Sequence, residues 1–340
     1  MLSLLSWAYK TGMKVRNWSF EQGWSPVERL AVPVVSVGNL TTGGTGKTPI
    51  VANLVQWSLD QGFSVGVVSR GYKGEFTRVQ KVASDPDLPV TCGDEPTMLA
   101  RQFPQIPVFV HPDRTLAGQK LLSKHQVKWI IADDAFQHRR LYRDLNIVVF
   151  DATAPLWHLK SLPAGRAREP LTSLSRADFI ILTKTNLAEK DLLDQWLQQL
   201  VQWVDNDLLI FCEYQLKGLF PVGTLNEVKG QPKVWLVSGI GNPRAFEKLI
   251  RYSGVQVLGH TVFADHYAYS KKDVLNLRLR IKKSEARFLV TTTKDLTKLS
   301  AFPELAEFLV EAKLDLSWGR QREQLDKELS RLIKTVGVDS

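Results

Sequence analysis

Residues 36–49 read SVGNLTTGGTGKTP. The β-branched run PVVSVG (33–38) leads into this stretch and an amphipathic segment over about 48–61 leads out of it, so the glycines sit between a strand and a helix. Gly43, Gly44 and Gly46 remove side chains where backbone N–H groups have to close on phosphate oxygens. The helix N-terminus adds a partial positive charge at the same place. With Thr42 and Thr45 completing the loop, Lys47 can reach the outer phosphates of a nucleotide and Thr48 can set its hydroxyl on Mg²⁺. Pro49 suits a first helical turn, where no N–H is needed. The pattern is that of a P-loop, with one departure: Thr41 stands where G-x-x-x-x-G-K-[ST] has its first glycine. A glycine-rich turn without a ligand does not account for Gly-Lys-Thr directly after a strand.

The rest of the chain keeps to the architecture this loop demands. Short β-branched runs recur at SVGVVSR (64–70), PVFV (107–110), KWIIAD (128–133), NIVVFD (146–151) and DFIILTK (178–184). Helices are expected over about 48–61, closed by Gly62, and over 187–203. A second series begins near residue 233. KVWLVSGIGNP reads as a strand and a glycine turn, RAFEKLIRYSG as a helix, and VQVLGHTVF, ARFLVTTTKD and KLDLSW as later strands. The expected fold is α/β, a P-loop NTPase-like three-layer α/β/α domain with a second, smaller α/β domain. The expected division is an N-terminal amphipathic membrane-associating segment (1–30), an ATP-binding domain (31–210), a linker (211–232) and a smaller C-terminal α/β domain (233–340).

With 340 residues the chain can bury two cores without covalent staples. Cys92 and Cys212 have no C-x-x-C spacing, which argues against a disulfide framework or zinc site and for a reducing cytosol. Forty-four Lys and Arg against 35 Asp and Glu give a net charge of +9. That charge suits an anionic lipid surface or a phosphorylated substrate. Without a Lys/Arg run or interleaved aromatics it does not point to nucleic acid. The N-terminus, MLSLLSWAYKTGMKVRNWSFEQGW, has no apolar run long enough to span a bilayer and no positive charge ahead of its leucines, so it reads as neither a span nor a signal peptide. At helical spacing Leu4, Ala8, Val15 and Trp18 fall on one side, and Lys10, Lys14 and Asn17 on another. Two readings stay open: a helix lying on an anionic membrane, or an amphipathic helix packed on its own domain. Gly12 weakens the helix in both.

Further motifs carry charge to strand and helix ends. KWIIADDAFQHRR runs an apolar strand into Asp133 and Asp134, which can hold Mg²⁺ directly or through water, with His138 close behind. TKTN (183–186) resembles the guanine-reading [NT]-K-x-D pattern, but Asn186 replaces its Asp, which favours ATP. CGDEP places Asp94 and Glu95 at a helix start, where they also suit plain capping. LPAGRAREP (162–170) holds Arg166, Arg168 and Glu169 between turn residues, as an anion-binding loop or a salt-bridged surface loop would. FADHYAYS puts Asp265 and His266 in the second series.

Taken in order, SVGNLTTGGTGKTP, GDEP, ADDAFQH, LPAGRAREP, FADHY and TTTKD resemble the motifs of the tetraacyldisaccharide 4′-kinase family, the lipid A 4′-kinases, over about residues 1–300. The resemblance implies transfer of the γ-phosphate of ATP, with Mg²⁺, to the 4′-hydroxyl of a tetraacyldisaccharide 1-phosphate lipid A precursor. It implies two α/β/α lobes joined by a β-ribbon. It also implies a peripheral place on the cytoplasmic face of the bacterial inner membrane and a glycolipid substrate, with no nucleic acid and no obligate protein partner. By the same resemblance Lys47 and Thr48 serve ATP and Mg²⁺, and Asp133 and Asp134 manage the metal. Asp94 is the base, assisted by His266, and Glu95, His138, Arg168 and Glu169 line the site. Ala135, Ala264, Tyr267 and Thr293 depart from the family's residues without removing any of these groups. The rival reading is a switch ATPase of the partitioning or metallochaperone type. It fits less well, because Thr42 stands where such loops carry their signature lysine and no metal-ligand cluster is present in the sequence.

Overall fold

A computed structural model describes residues 2–71, 78–84 and 92–335. They divide into two units: one holds the described residues below 85, those from 92 to 212 and those from 318 onward, and the other holds 213–317. In the first unit the chain runs α1 (Leu2–Glu21), β1 (Val34–Gly38), α2 (Lys47–Asp60), β2 (Val65–Ser69), β3 (Gln80–Lys81), α3 (Asp94–Gln102), β4 (Val108–Val110), α4 (Arg114–Leu122), β5 (Trp129–Asp133), β6 (Leu145–Asp151), β7 (Phe179–Thr183) and α5 (Lys190–Leu200), and then enters β8 (Leu209–Pro221). The sheet order is β8-β7-β6-β1-β5-β2-β4-β3. The pairings are parallel except that of β3 with β4. β1, β2, β4, β5 and β7 are buried along their whole length, which is why they read as unbroken apolar runs rather than as alternating ones.

The two faces of this sheet carry different helices. Trp129 donates its indole N–H to Ser58 of α2 (2.9 Å), while its neighbour Ile130 packs with Ala117 and Leu121 of α4. Successive strand residues point to opposite faces, so α2 and α4 flank the sheet and the unit has three layers. β1 lies between β5 and β6, both of which come much later in the chain. A crevice forms at the C-terminal end of such a strand, and the glycine-rich loop follows β1 there.

The second unit runs β9 (Lys233–Ser238), α6 (Pro243–Tyr252), β10 (Gln256–Val262), α7 (Lys271–Lys283), β11 (Phe288–Thr292), α8 (Thr293–Leu299) and β12 (Leu309–Trp318). Its strands follow the order β10-β9-β11-β12 and pair in parallel. Val234 and Leu236 pack with Phe246 and Ile250 of α6, whereas Val237 packs with Val274 and Leu277 of α7, so this sheet too is covered on both faces. Of the stretch 211–232, read from the sequence as a linker, residues up to Pro221 belong to β8. The strand beside β8 is β12, and the chain enters the second unit along one and leaves it along the other.

One grouping differs from the sequence reading. Helix α9 (Arg322–Thr335) follows the second unit but belongs to the first, where Arg322 donates to Asn53 of α2 (2.6 Å). Its buried stripe of Leu325, Leu329 and Ile333 is legible in the sequence, but a stripe does not say which sheet covers it.

Candidate active site

The loop after β1 is held from three sides. Asn39 donates to the carbonyl of Thr41 (2.6 Å) and to the Thr45 hydroxyl (3.0 Å), bracing the loop from within. Thr42 N–H donates to the Arg166 carbonyl (2.8 Å) and Arg168 N–H to the Leu40 carbonyl (2.7 Å), so LPAGRAREP lies along the loop. From the end of β7 the Thr183 hydroxyl reaches the Thr45 carbonyl (3.1 Å). Gly43 (φ 108°) and Gly46 (φ 86°) take conformations that side chains resist, and Gly46 precedes α2 with no side-chain cap. Lys47 is the first residue of that helix, so ammonium and helix terminus point at one place.

The ADDAFQH turn supplies the opposing charge. Asp133 ends β5 in register with Val37 of β1, and Asp134 N–H donates to the Val37 carbonyl (2.9 Å). Asp134 adopts a left-handed backbone (φ 49°), which aims its carboxylate back over the loop. There Lys47 Nζ stands 3.4 Å from Oδ1, and Arg168 Nη1 donates to both oxygens (3.0 and 2.9 Å). Burial opposes ionisation of Asp134, but Lys47 and Arg168 outweigh it and hold the carboxyl well below the usual carboxylate range. Asp133 goes the other way: burial, reinforced by the negative charge of Glu95, raises it far above that range. Its Oδ2 accepts from Ser69 (2.9 Å), while its Oδ1 is buried with no hydrogen-bond partner among the described residues. A buried carboxylate oxygen with spare lone pairs, close enough to the P-loop Lys47 to feel its charge, fits a hard divalent cation that also takes oxygens from phosphates.

Asp94 opens α3, with Glu95 next to it in the first turn. The effect of Glu95 on Asp133 places this helix start by the same corner. His138 is engaged elsewhere: its Nε2 lies 3.2 Å from Oδ1 of Asp113, the N-cap of α4 that also accepts from Thr115 N–H. Burial, with the Arg114 cation adding to it and Asp113 opposing, pulls His138 down to about 4, so the ring is neutral at pH 7. Glu169 is wholly buried, and its Oε2 accepts from Asn17 of α1 (2.8 Å) and from Arg176 (2.6 Å). It anchors α1 through Asn17. Asn39 lies at the loop but escaped the sequence reading, and Arg166, read there only as part of an anion-binding or salt-bridged loop, lies at it too: a side chain at Gly43 would stand only 3.3 Å from its guanidinium. Both fall inside stretches whose pattern was legible, but nothing in the pattern tells which side chains turn inward.

Helix α1 packs on its own unit along one side and leaves apolar residues exposed along the other. Ser6, Tyr9, Met13, Arg16, Asn17 and Phe20 form its inward stripe. Ser6 donates to the Ser161 carbonyl, Tyr9 to the Arg168 carbonyl and Arg16 to the Gln137 carbonyl. Asn17, which the helical spacing groups with Lys10 and Lys14, is buried while both lysines are exposed. The other side leaves Leu4 (71%) and Trp7 (66%) exposed, with Val15 and Trp18, beside Lys10 and Lys14. Among the described residues no helix is long and apolar enough to cross a membrane.

In the second unit the FADHY loop, the turn after β9 and the start of α8 converge. His266 has a left-handed backbone (φ 59°) and donates its N–H to the Gly239 carbonyl (3.2 Å). Lys294 Nζ donates to Asp265 Oδ1 (2.9 Å) and lies 3.2 Å from His266 Nε2. Asp295 is buried and accepts from Gly239 N–H, Thr292 and Tyr269, tying the three segments together.

A family model described as LpxK, tetraacyldisaccharide-1-P 4′-kinase, matches residues 1–334. A tetraacyldisaccharide 4′-kinase of Bdellovibrio bacteriovorus is 37% identical over 338 residues, 97% of this chain and 98% of that protein. One from Geobacter sulfurreducens is 35% identical over 312 residues, 88% of this chain and 84% of that protein. The crystal structure of the "apo" form of LpxK from Aquifex aeolicus in complex with ATP resembles this fold with a TM-score of 0.75 and 28% sequence identity, covering 97% of each chain.

Proposed function

The chain belongs to the tetraacyldisaccharide-1-P 4′-kinase family, and on that footing we propose that it moves the γ-phosphate of ATP to the 4′-hydroxyl of a tetraacyldisaccharide 1-phosphate. The observation that carries the reading is the loop at 41–48 with Lys47 at the helix start and Asp133 and Asp134 at the end of the adjacent strand. Backbone N–H groups of Gly43, Gly44 and Gly46 cradle phosphate, and Lys47 meets the charge on the outer oxygens. Thr48 and Asp133 hold Mg²⁺, which neutralises charge on the phosphates when bound. Asp134 stays ionised and keeps Lys47 and Arg168 at the loop. Asp94 accepts the proton of the sugar hydroxyl, and His266 assists it.

Peripheral attachment to the cytoplasmic face of the bacterial inner membrane belongs to the same proposal. Its support is the exposed apolar side of α1 with Lys10 and Lys14 beside it, which suits an anionic lipid surface.

The deciding experiment incubates the protein with γ-labelled ATP, Mg²⁺ and tetraacyldisaccharide 1-phosphate. Label in the glycolipid, lost in Lys47→Ala, is the expected result. Label released only as free phosphate would point to the switch ATPase instead.

A further inference from the structure

The half-buried lysine at the start of α8 has no part in the roles assigned so far. Lys294 is the second residue of that helix, where the dipole opposes a cation and an acid is the favoured choice. Its ammonium has only protons to give, so in the 3.2 Å contact with His266 Nε2 the lysine donates and the imidazole accepts. An imidazole that accepts at Nε2 and is neutral carries its one proton on Nδ1. The same ammonium donates to Asp265 Oδ1, which lies 3.8 Å from His266 Nε2, too far for a hydrogen bond of its own. Lys294 therefore stands where Asp265 would otherwise compete for the ring nitrogen, and an aspartate there would call for a proton on Nε2.

We infer that Lys294 is a positioning residue that sets the tautomer of His266, keeping Nε2 occupied as an acceptor and leaving Nδ1–H as the donor. A purely structural role for the lysine is the weaker account. The FADHY loop already has its own ties: Phe263 N–H to the Ser238 carbonyl (2.8 Å), His266 N–H to the Gly239 carbonyl (3.2 Å) and Tyr267 N–H to the Ala264 carbonyl (3.1 Å). The rings of Phe263, Tyr267 and Tyr269 pack on one another as well. Partly exposed ion pairs such as Lys294–Asp265 add little to such a loop. What the lysine supplies to the ring is the direction of a hydrogen bond at Nε2. An Nδ1–H donor is the form of the ring that can hold a carboxylate in place, so the inference deepens the assignment of His266 as an assistant to a carboxylate base and rests on that reading for its effect on turnover.

The test is ¹⁵N NMR of the full-length protein labelled at histidine, with the His266→Gln spectrum identifying the His266 signals. Wild type should show the Nδ1–H tautomer, and Lys294→Met should move the ring toward Nε2–H at the same pH. In the labelled-ATP assay Lys294→Met should lower kcat about 10–100-fold, as loss of an orienting partner does, with KM for ATP unchanged. Lys294→Arg, which still donates, should retain more activity and the wild-type tautomer; it also decides the matter if Lys294→Met does not fold. An Nε2–H ring in wild type, or an unmoved tautomer in a folded Lys294→Met, overturns the inference. A tautomer that moves while kcat does not upholds the contact, and an equally active His266→Ala then shows that the catalytic reading of His266 is what failed.

Discussion

Glu169 holds two partners together. Its buried carboxylate accepts from Asn17 and Arg176, so Glu169→Ala takes the carboxylate away from a largely buried guanidinium and leaves both side chains with only their hydrogen bonds to Ser173 among the described residues. Such a loss costs about 3–5 kcal/mol. Urea unfolding should show that loss; unchanged stability with a fall in kcat would return Glu169 to the ligand site. His138 is a second residue whose surroundings outweigh its motif. Its pKa falls from 6.5 unfolded to about 4 folded, with burial the main cause. Between those values the unfolded chain binds the extra proton, so stability is complete above about pH 6.5 and declines as pH falls toward 4. The decline is on the order of 3 kcal/mol, and His138→Gln should flatten it in denaturation curves taken across that window. Neither role was legible in the sequence, because a charged residue in a loop looks the same whether it meets a ligand or a buried partner.

At the scale of elements, α1 has two distinct faces. The inward stripe carries Ser6, Tyr9, Arg16 and Asn17, and the helix bonds along it to the 161–176 and 137–139 segments, while the outward side exposes Leu4, Trp7, Val15 and Trp18 beside Lys10 and Lys14. A helix packed on a domain usually turns its apolar stripe inward, whereas here large apolar side chains are left outside. Replacing Leu4 and Trp7 with Ser should therefore weaken binding to anionic vesicles in a sedimentation assay and leave the unfolding midpoint unchanged. Asn17→Leu should do the reverse, costing about 1–3 kcal/mol because the buried carboxylate loses a donor. If the two variants exchange effects, the assignment of the faces is wrong. Removing residues 1–20 altogether would confound the two, since it also strips Glu169 of Asn17. The periodicity of α1 was readable, including the side bearing Leu4, Ala8, Val15 and Trp18. What it could not show is that the opposite side finds its partners in a loop more than a hundred residues away.

For the whole molecule, the proposed base and its proposed assistant come from different units, Asp94 from the first and His266 from the second. Their cooperation is a matter for kinetics. Asp94→Ala and His266→Ala should each lower kcat strongly with ATP affinity nearly intact, and the double variant should be little worse than the worse single one. Fully multiplicative losses would mean that they act independently. Much of this molecule follows from local order. Strand runs, helix periods and the Gly-Lys-Thr loop depend on neighbours in the chain, so the α/β class, the loop between β1 and α2 and the presence of Asp133 and Asp134 at a strand end were all legible. Long-range pairing decided the rest. Which unit covers α9, that Asn17 and Glu169 meet inside, that His138 serves the cap of α4, and that Lys294 reaches His266 all depend on contacts between residues far apart in sequence. Hydrophobic pattern and turn chemistry say that a surface must be buried or a charge satisfied; only the packed chain selects the partner that does it.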